Sequence, residues 1–449
     1  WWCREAAGSM LSTGRRSCWV AVAFMLLARL ASSLRPHSFA SSALRRSSTG
    51  YNRVGVGSTS RQLSTYSLLM NTPIVTKGVG DLADKYDCFL LDQFGVLHDG
   101  ANPLPGVVDA LEQLQARGKV CIVLSNSSSR AASAAKKFEK LGLPPVYSAF
   151  LTSGELAWQY MRANDFKGKK CAWITWGGYA KDDYLASLEV AVADVEQADF
   201  LLLHGTHCVA APPGQEAARC SVFSTGVIDE PMQRVLEVAA RRGLPCVCAN
   251  DDLLAVADGK LSHMPGLLKK EYLRLGGSVI SFGKPSSTMF DAAMAAAQIT
   301  LSGAAGSPLE VTQAAVAACL QPSTDAFQDG TSEGASPQEA ALALQAKLRA
   351  RQAKRRIVHV GDSLTHDISG AHAAGIDSLL VTSKGVHKHE LVEVAAQVTH
   401  VAQMGEAGAG AVCNQGSSPA SPPLLMQVCD LCDREQTPRP TYIVRNFEW

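Results

Sequence analysis

Asp92 closes a short apolar run, Cys88-Phe-Leu-Leu-Asp92, and a second run leads into two more acids, Val358-His-Val-Gly-Asp362-Ser-Leu-Thr-His-Asp367. A carboxylate at the C-terminal end of a buried strand lies where open α/β sheets gather their reactive groups. Between these runs, Leu124-Ser125-Asn126 puts a hydroxyl after a third apolar run, and Phe282-Gly283-Lys284-Pro285 puts an ammonium near a fourth. A nucleophilic carboxylate, an anion-binding hydroxyl, a fixed cation and further acids for Mg2+ are the parts that phosphoryl transfer requires. Mg2+ takes an octahedron of oxygen ligands, and Asp92 and Asp362 suit it better than they suit zinc. Any one of these residues alone is as readily a helix cap. Four in this order, each at a strand end, point to a site.

The elements that must position them alternate. Cys88–Asp92 and Val120–Leu124 read as buried strands, Val107–Arg117 and Ser129–Leu141 as helices. Thr152-Ser-Gly-Glu155 has capping-box spacing and opens a helix to about Met161. A second alternating set follows, with strands at Ala172–Thr175, Asp199–His204 and Cys246–Asn250. After Gly276-Gly277 come Val279–Phe282, Ile357–Gly361 and Ser378–Thr382, read as further strands of the first sheet. Strands alternating with helices imply right-handed crossovers and a mostly parallel sheet. That order describes one α/β unit with another inserted into it.

The chain has 449 residues, 42 Lys+Arg against 41 Asp+Glu, and a net charge of +1. That balance excludes the basic footprint of a nucleic-acid binder. Thirteen Cys over this length make no disulfide framework. Between Glu5 and Asp81 there is no acidic residue, while Arg15, Arg16, Arg29, Arg35, Arg45, Arg46, Arg53 and Arg61 stand among many Ser and Ala. An Arg- and Ser-rich, acid-free N-terminus is the composition of an organelle transit peptide, here expected over 1–72 with Met10 as the start. The apolar run Cys18–Ala28 after Arg15-Arg16 fits a signal-peptide core and is too short to span a bilayer. Signal plus transit peptide favours a plastid over a mitochondrion, with the cytoplasm as the alternative. Residues 300–354, rich in Gly, Ala, Ser, Pro and Gln up to about Ser336, read as a flexible insertion, with a polar helix over Pro337–Lys354. Residues 404–449 read as a linker and tail, its aromatic-rich end (Thr441–Trp449) docking back on the core. Cys429-x-x-Cys432 lacks a second pair and is weak as a zinc motif.

Taken together these motifs resemble the haloacid dehalogenase superfamily, most closely its subfamily IIA with a type C2 cap. The likeness covers Pro73–Gln298 and Arg356–Gln403. It implies a Rossmann-like parallel-sheet core, residues 73–152, 279–299 and 355–403, with an α/β cap inserted at 153–278. Asp92 matches the nucleophile of the first motif, Ser125 the second, Lys284 the third, and Asp362 through Asp367 the fourth. The resemblance implies that Asp92 forms an aspartyl-phosphate. Asp92, the Phe94 backbone carbonyl and Asp362 would ligate Mg2+, while Ser125, Asn126 and Lys284 would hold the phosphoryl group. Asp367 would orient metal-bound groups or Lys284. The cap likeness rests on Cys248-Ala-Asn250-Asp-Asp252 and Gly276-Gly277.

The family's phosphatases carry a second Asp two residues after the nucleophile, as proton donor to the leaving oxygen. Here that residue is Phe94. General acid–base catalysis contributes about 10²–10⁴-fold, so an aryl leaving group would suffer less than an alkyl one. His98 and Asp99 could replace the acid, or simply form the turn Leu97-His-Asp-Gly100. His204 and His207 have a spacing that could suit a metal, though a structural role is commoner. Trp173, Trp176 and Tyr179 either line the cap face or pack in its core. Three activities follow: an Mg2+-dependent phosphoric-monoester hydrolase acting on a small phosphorylated metabolite, a catalytically weak metal- and phosphate-binding protein, or a hydrolase acting at carbon. Retention of Lys284, Asp362 and Asp367 favours phosphorus, because a carbon–halogen substrate does not need Mg2+.

Overall fold

The computed structural model describes residues 72–177, 184–257, 260–304, 306–320, 356–388, 390–391 and 424–449. The leader up to residue 71, Tyr179, and the helix expected over Pro337–Lys354 lie outside the described residues.

In chain order the core opens with β1 (Ile74–Val75), β2 (Cys88–Leu91), α1 (Val107–Ala116), β3 (Val120–Ser125), α2 (Ala131–Lys140) and β4 (Ala149–Thr152). Helix α3 (Ser153–Ala163) leads into the inserted unit, whose main strands are β5 (Lys170–Thr175), β6 (Ala191–Val192), β7 (Phe200–Leu203), β8 (Cys208–Val209) and β9 (Ala218–Arg219). Helix α4 (Glu230–Arg242), β10 (Pro245–Cys248), the hairpin β11 (Leu254–Ala257) and β12 (Lys260–His263), α5 (Pro265–Arg274) and β13 (Ser278–Ser281) complete it. The chain returns through α6 (Ser287–Leu301), α7 (Pro308–Leu320), β14 (Ile357–Gly361), α8 (Ser369–Ala374), β15 (Asp377–Val381), α9 (Leu424–Glu435) and β16 (Tyr442–Val444).

The core sheet runs β1-β16-β15-β14-β2-β3-β4, and each neighbouring pair is parallel. Ile357 pairs with Cys88 and Cys88 with Val120, so the strands that carry the first, second and fourth motifs are adjacent. All four residues of β2 are buried, as a strand covered by helices on both faces must be. Its alternate side chains part: Cys88 and Leu90 join Phe290, Ala293 and Ala297 of α6, while Phe89 and Leu91 join Leu111 and Leu114 of α1. The chain winds from β2 to β3 and β4 on one side, then returns to β14 and β15 on the other. That reversal opens a crevice at the C-terminal ends of β2 and β14.

The inserted sheet runs β13-β10-β7-β5-β8-β9, with its β5, β7, β10 and β13 strands parallel. One face is not separate from the core. Trp173, Phe200 and Val247 share an apolar cluster with Leu90, Ile122 and the α3 residues Leu156, Trp158 and Met161. Among the described residues no helix is long and apolar enough to cross a membrane.

Three sequence expectations need correction. The strand read at Val279–Phe282 belongs to the inserted sheet, beside β10 in the register Pro245↔Ser278, so the insertion runs past residue 278. Its burial alternates between exposed and half-buried, as an edge strand's does, whereas β2 is buried throughout. Within the 300–354 segment expected to be flexible, α7 packs Val311, Thr312, Ala315 and Val316 inward, joining the cluster of α6 alanines. Its Ala content reads as low complexity, yet small side chains let two helices approach closely. Within the 404–449 linker and tail, α9 buries Val428, Leu431 and Cys432, and β16 inserts between β1 and β15. The closing segment does dock on the core, as expected, and does so as a strand.

Candidate active site

Asp92 follows β2, Ser125 ends β3 and Asp362 follows β14, so three neighbouring strands deliver one polar group each to the same crevice. Lys284 arrives from the inserted side, on the loop between β13 and α6. Its ammonium, buried, donates to Asp92 Oδ1 at 2.6 Å and to Asp367 Oδ1 at 2.7 Å. Asp367 Oδ2 accepts from the peptide nitrogens of Asp362 and Ser363 at 3.2 and 3.1 Å. His359 Nε2 lies 2.8 Å from Asp367 Oδ1, and its Nδ1 3.0 Å from the Leu90 carbonyl. This chain of contacts ties β14 to β2 beneath the site.

Glycines make the approach possible. Gly95 has φ +78°, and a Cβ there would strike the Asp362 carboxylate and come within 2.9 Å of the Gly385 Cα. Asp362 Oδ2 in turn accepts from the Val386 peptide nitrogen at 2.8 Å.

Burial pushes the Asp92 carboxyl up to about 7, against the pull of Lys284. Asp362 is raised well above the ordinary range, by burial and then by the charges of Asp92 and Asp367. Asp367 moves the other way: burial raises it, but Lys284 and His359 outweigh that and hold it low. One carboxylate oxygen each of Asp92, Asp362 and Asp367 lies within 4.8 Å of the others, an all-oxygen set. Among the described residues Lys284 is the one ammonium bonded to this group, so a hard divalent cation fits as the missing countercharge.

Asn126 does something the sequence did not show. Its Oδ1 accepts from the Lys284 peptide nitrogen at 2.6 Å, and its Nδ2 donates to the Lys284 carbonyl at 3.1 Å and to Asp252 Oδ1 at 2.7 Å. The side chain expected to hold phosphate is therefore committed to positioning the Lys284 loop and the inserted unit. Ser125 Oγ accepts from the Ser127 peptide nitrogen at 3.2 Å and lines the cavity. Asp251 Oδ2 accepts from the Gly283 peptide nitrogen at 2.6 Å, fixing the same loop from the other side.

Asp92, Ser125, Asn126, Lys284, Asp362 and Asp367 floor a cavity of about 360 Å³. Its roof comes from the insertion: Trp176, Phe223, Leu254, Ala255 and Met264. Trp176, His207 and Phe223 stack edge to face at 4.6–6.0 Å, and Trp176 Nε1 donates to Ser128 Oγ of the core at 2.8 Å. His207 belongs to that aromatic cluster. His204 is instead buried between Thr175 Oγ1 and the Ser128 carbonyl, with burial pushing its imidazole down to about 4, so the pair does not converge on a metal. Trp173 is packed in the core.

Phe94 lines the cavity, its ring edge-on to His98 at 4.5 Å. His98 Nδ1 accepts from the Gly100 peptide nitrogen, and burial holds this imidazole neutral, at about 4. Asp99 Oδ1 accepts from the peptide nitrogens of Ala101 and Asn102, which lowers its proton affinity. Both residues build the turn read from Leu97-His-Asp-Gly100, and neither is a ready proton donor at neutral pH.

Sequence reasoning missed His359 and the positioning role of Asp252. A polar residue inside the apolar run Ile357–Gly361 was the available signal for the first. Asp252 was visible only as part of a motif, since its partners Asn126 and His366, the latter 3.7 Å away, come from distant segments.

Two family models match. One described as haloacid dehalogenase-like hydrolase covers residues 89–186, and one described as HAD-hydrolase-like covers 335–404. The 4-nitrophenylphosphatase of Schizosaccharomyces pombe is 43% identical over 51 residues, 11% of this chain and 17% of that protein. The chloroplastic phosphoglycolate phosphatase 1A of Arabidopsis thaliana is 32% identical over 110 residues, 24% of this chain and 30% of that protein. The chain thus aligns with less than a third of the length of these curated relatives. A haloacid dehalogenase-like hydrolase of Brucella suis shares the fold, with a TM-score of 0.51 at 22% identity over 70% of this chain and 92% of that one. The matched stretches carry Asp92 and Ser125 before the insertion and Asp362 and Asp367 after it, the first running on into the insertion, so the chain carries haloacid dehalogenase-like hydrolase segments on both sides of it.

Proposed function

We propose that this chain is an Mg2+-dependent phosphoric-monoester hydrolase of subfamily IIA, with the insertion as its C2-type cap. The observation that carries the reading is the Lys284 ammonium held between Asp92 and Asp367 on the floor of a capped cavity. Asp92 attacks phosphorus, the bond to the substrate's alcohol oxygen breaks, and an aspartyl-phosphate forms on Asp92. Water then attacks the same phosphorus, releasing phosphate and restoring the carboxylate. Lys284 and the Ser125 hydroxyl hold the phosphoryl oxygens, and Asp367 and Asn126 hold Lys284. Mg2+, held by Asp92, Asp362 and the Phe94 carbonyl, would neutralise charge that builds on the phosphoryl oxygens. The roof excludes water and admits a small phosphorylated metabolite. Both curated relatives are named phosphatases, which supports phosphorus over carbon as the reacting atom. The acid-free leader and the chloroplastic relative together support a plastid location.

With Phe94 in the proton donor's place, activated aryl phosphates are the substrates of choice for a first assay. Turnover of 4-nitrophenyl phosphate should require Mg2+, vanish with EDTA and vanish in Asp92→Asn. Turnover that persists without divalent metal, or in Asp92→Asn, would sink the reading. Metal binding with no turnover of any ester would point to the binding-protein alternative, which the absent acid at Phe94 favours.

A further inference from the structure

Helix α2 turns one face to the cavity. Ser133, Ala134, Lys137 and Phe138 recur one helical turn apart and all line it. Lys137 is exposed, and no carboxylate among the described residues pairs with it. Its ammonium lies 5.9 Å from the centre of the Phe94 ring, and it helps depress the proton affinity of the buried His98. The cavity's other ammonium, Lys284, is bonded to two carboxylates. His366 faces Asp252. Lys137 is therefore the uncommitted cation of the cavity wall, among the described residues.

Its position gives that charge a meaning. Phe94 stands where the family's phosphatases protonate the leaving oxygen, so the side of the cavity beyond Phe94 receives the alcohol portion of a substrate whose phosphorus meets Asp92. The cavity also presents carbon at Phe138 and, from the roof, at Phe223 and Met264, beside the hydroxyls of Ser129 and Ser133. An acidic alcohol would find one counter-ion there, and a neutral one would leave Lys137 to water.

We infer that Lys137 binds a second anionic group on the alcohol portion of the substrate, making the site selective for phosphate monoesters of small acidic alcohols over neutral esters of the same size. The inference rests on the phosphatase reading for its orientation of the substrate. A carboxylate and a second phosphate would both satisfy the ammonium, so the probes must separate them.

Asp92→Asn cannot form the phosphoenzyme, and calorimetry on it with Mg2+ present reads binding alone. The ligands are phosphoglycolate, as the smallest phosphorylated hydroxy acid, ethane-1,2-diol bisphosphate, and ethyl phosphate as the neutral control. At least one anionic ligand should bind about fivefold more tightly than ethyl phosphate, the upper end of the scale for an exposed ion pair. Lys137→Met should remove most of that advantage and Lys137→Arg should keep it; which anionic ligand prefers the site identifies the group recognised. Equal affinity for all three, absent binding of all three, or a preference that survives Lys137→Met overturns the inference. Turnover of 4-nitrophenyl phosphate by the unsubstituted chain is read separately. Its absence would sink the phosphatase reading while a Lys137-dependent preference in binding still stood.

Discussion

On the floor of the cavity, Asp92, Lys284, Asp367, His359 and the peptide nitrogens of Asp362 and Ser363 form one continuous hydrogen-bonded chain, and each of these side chains is buried or nearly so. On the roof, Trp176, Phe223, Leu254, Ala255 and Met264 present mostly carbon, and Leu254 is exposed. The floor is cross-tied: Lys284, Asp367 and His359 each bond at least two other groups, from different strands and loops, and Asp92 is held through Lys284. Among the described residues the insertion's polar ties beside the cavity are Trp176 and His204 to Ser128 and Asp252 to Asn126 and His366. A network of buried charges fails as a unit when one member goes, whereas an aromatic roof loses contacts in small steps. Under the proposed function, reaction and selection fall to surfaces with different tolerance to change, and substitutions on each should separate them.

The largest effect short of removing Asp92 belongs to Lys284. Lys284→Met leaves the carboxylates of Asp92 and Asp367 facing each other without their shared cation. Breaking a buried pair this way costs about 3–5 kcal/mol, so the melting temperature should fall measurably. Loss of a donor aimed at the developing charge should also lower kcat by about 10²–10³-fold. A variant that melts like the unsubstituted chain would show that the floor is not the coupled network described.

A roof substitution should behave otherwise. Phe223 touches His207 and Trp176 but no floor residue through a polar bond. Phe223→Ala should raise KM for aryl phosphates about threefold to tenfold, the scale of one aromatic contact, with kcat nearly unchanged. A fall in kcat as large as that for Lys284→Met would dissolve the distinction between roof and floor.

The same division governs what could be read from sequence. Asp92, Ser125, Asp362 and Asp367 were legible because each follows an apolar run, and a parallel sheet brings run ends to one edge. The strands of β2, β3 and β14 were legible for the same reason: they are buried on both faces and so continuously apolar. β13 was assigned to the wrong sheet because pairing partners are set by crossover geometry, which a single strand's composition does not carry. β16 is three residues long, too short for any period to show. Asn126 looked like a phosphate ligand because it neighbours Ser125. Its true partners, Lys284 and Asp252, are more than 120 residues away, and only the folded chain brings them to it.

The smallest effect is at Phe94, where floor and roof meet. Phe94→Asp restores a carboxylic acid at the position of the family's proton donor. Its neighbours set that acid's proton affinity in opposite directions. The neighbouring rings of Phe138 and the neutral His98 disfavour the charged form and raise it, while the Lys137 ammonium, now 5.9 Å from the Phe94 ring centre, favours the carboxylate and lowers it. An acid held ionised by Lys137 donates poorly, so the gain should be a few-fold at most, a small part of the about 10²–10⁴ that a well-matched acid supplies. It should appear as a higher ratio of alkyl to aryl phosphate turnover, because an aryl oxide leaves without a proton. Lys137→Met in the Phe94→Asp background removes the charge that keeps the acid ionised, so the ratio should rise further there. A ratio that falls in the double variant would mean that Lys137 itself assists the departing oxygen, and would move it from the selecting wall to the reacting floor.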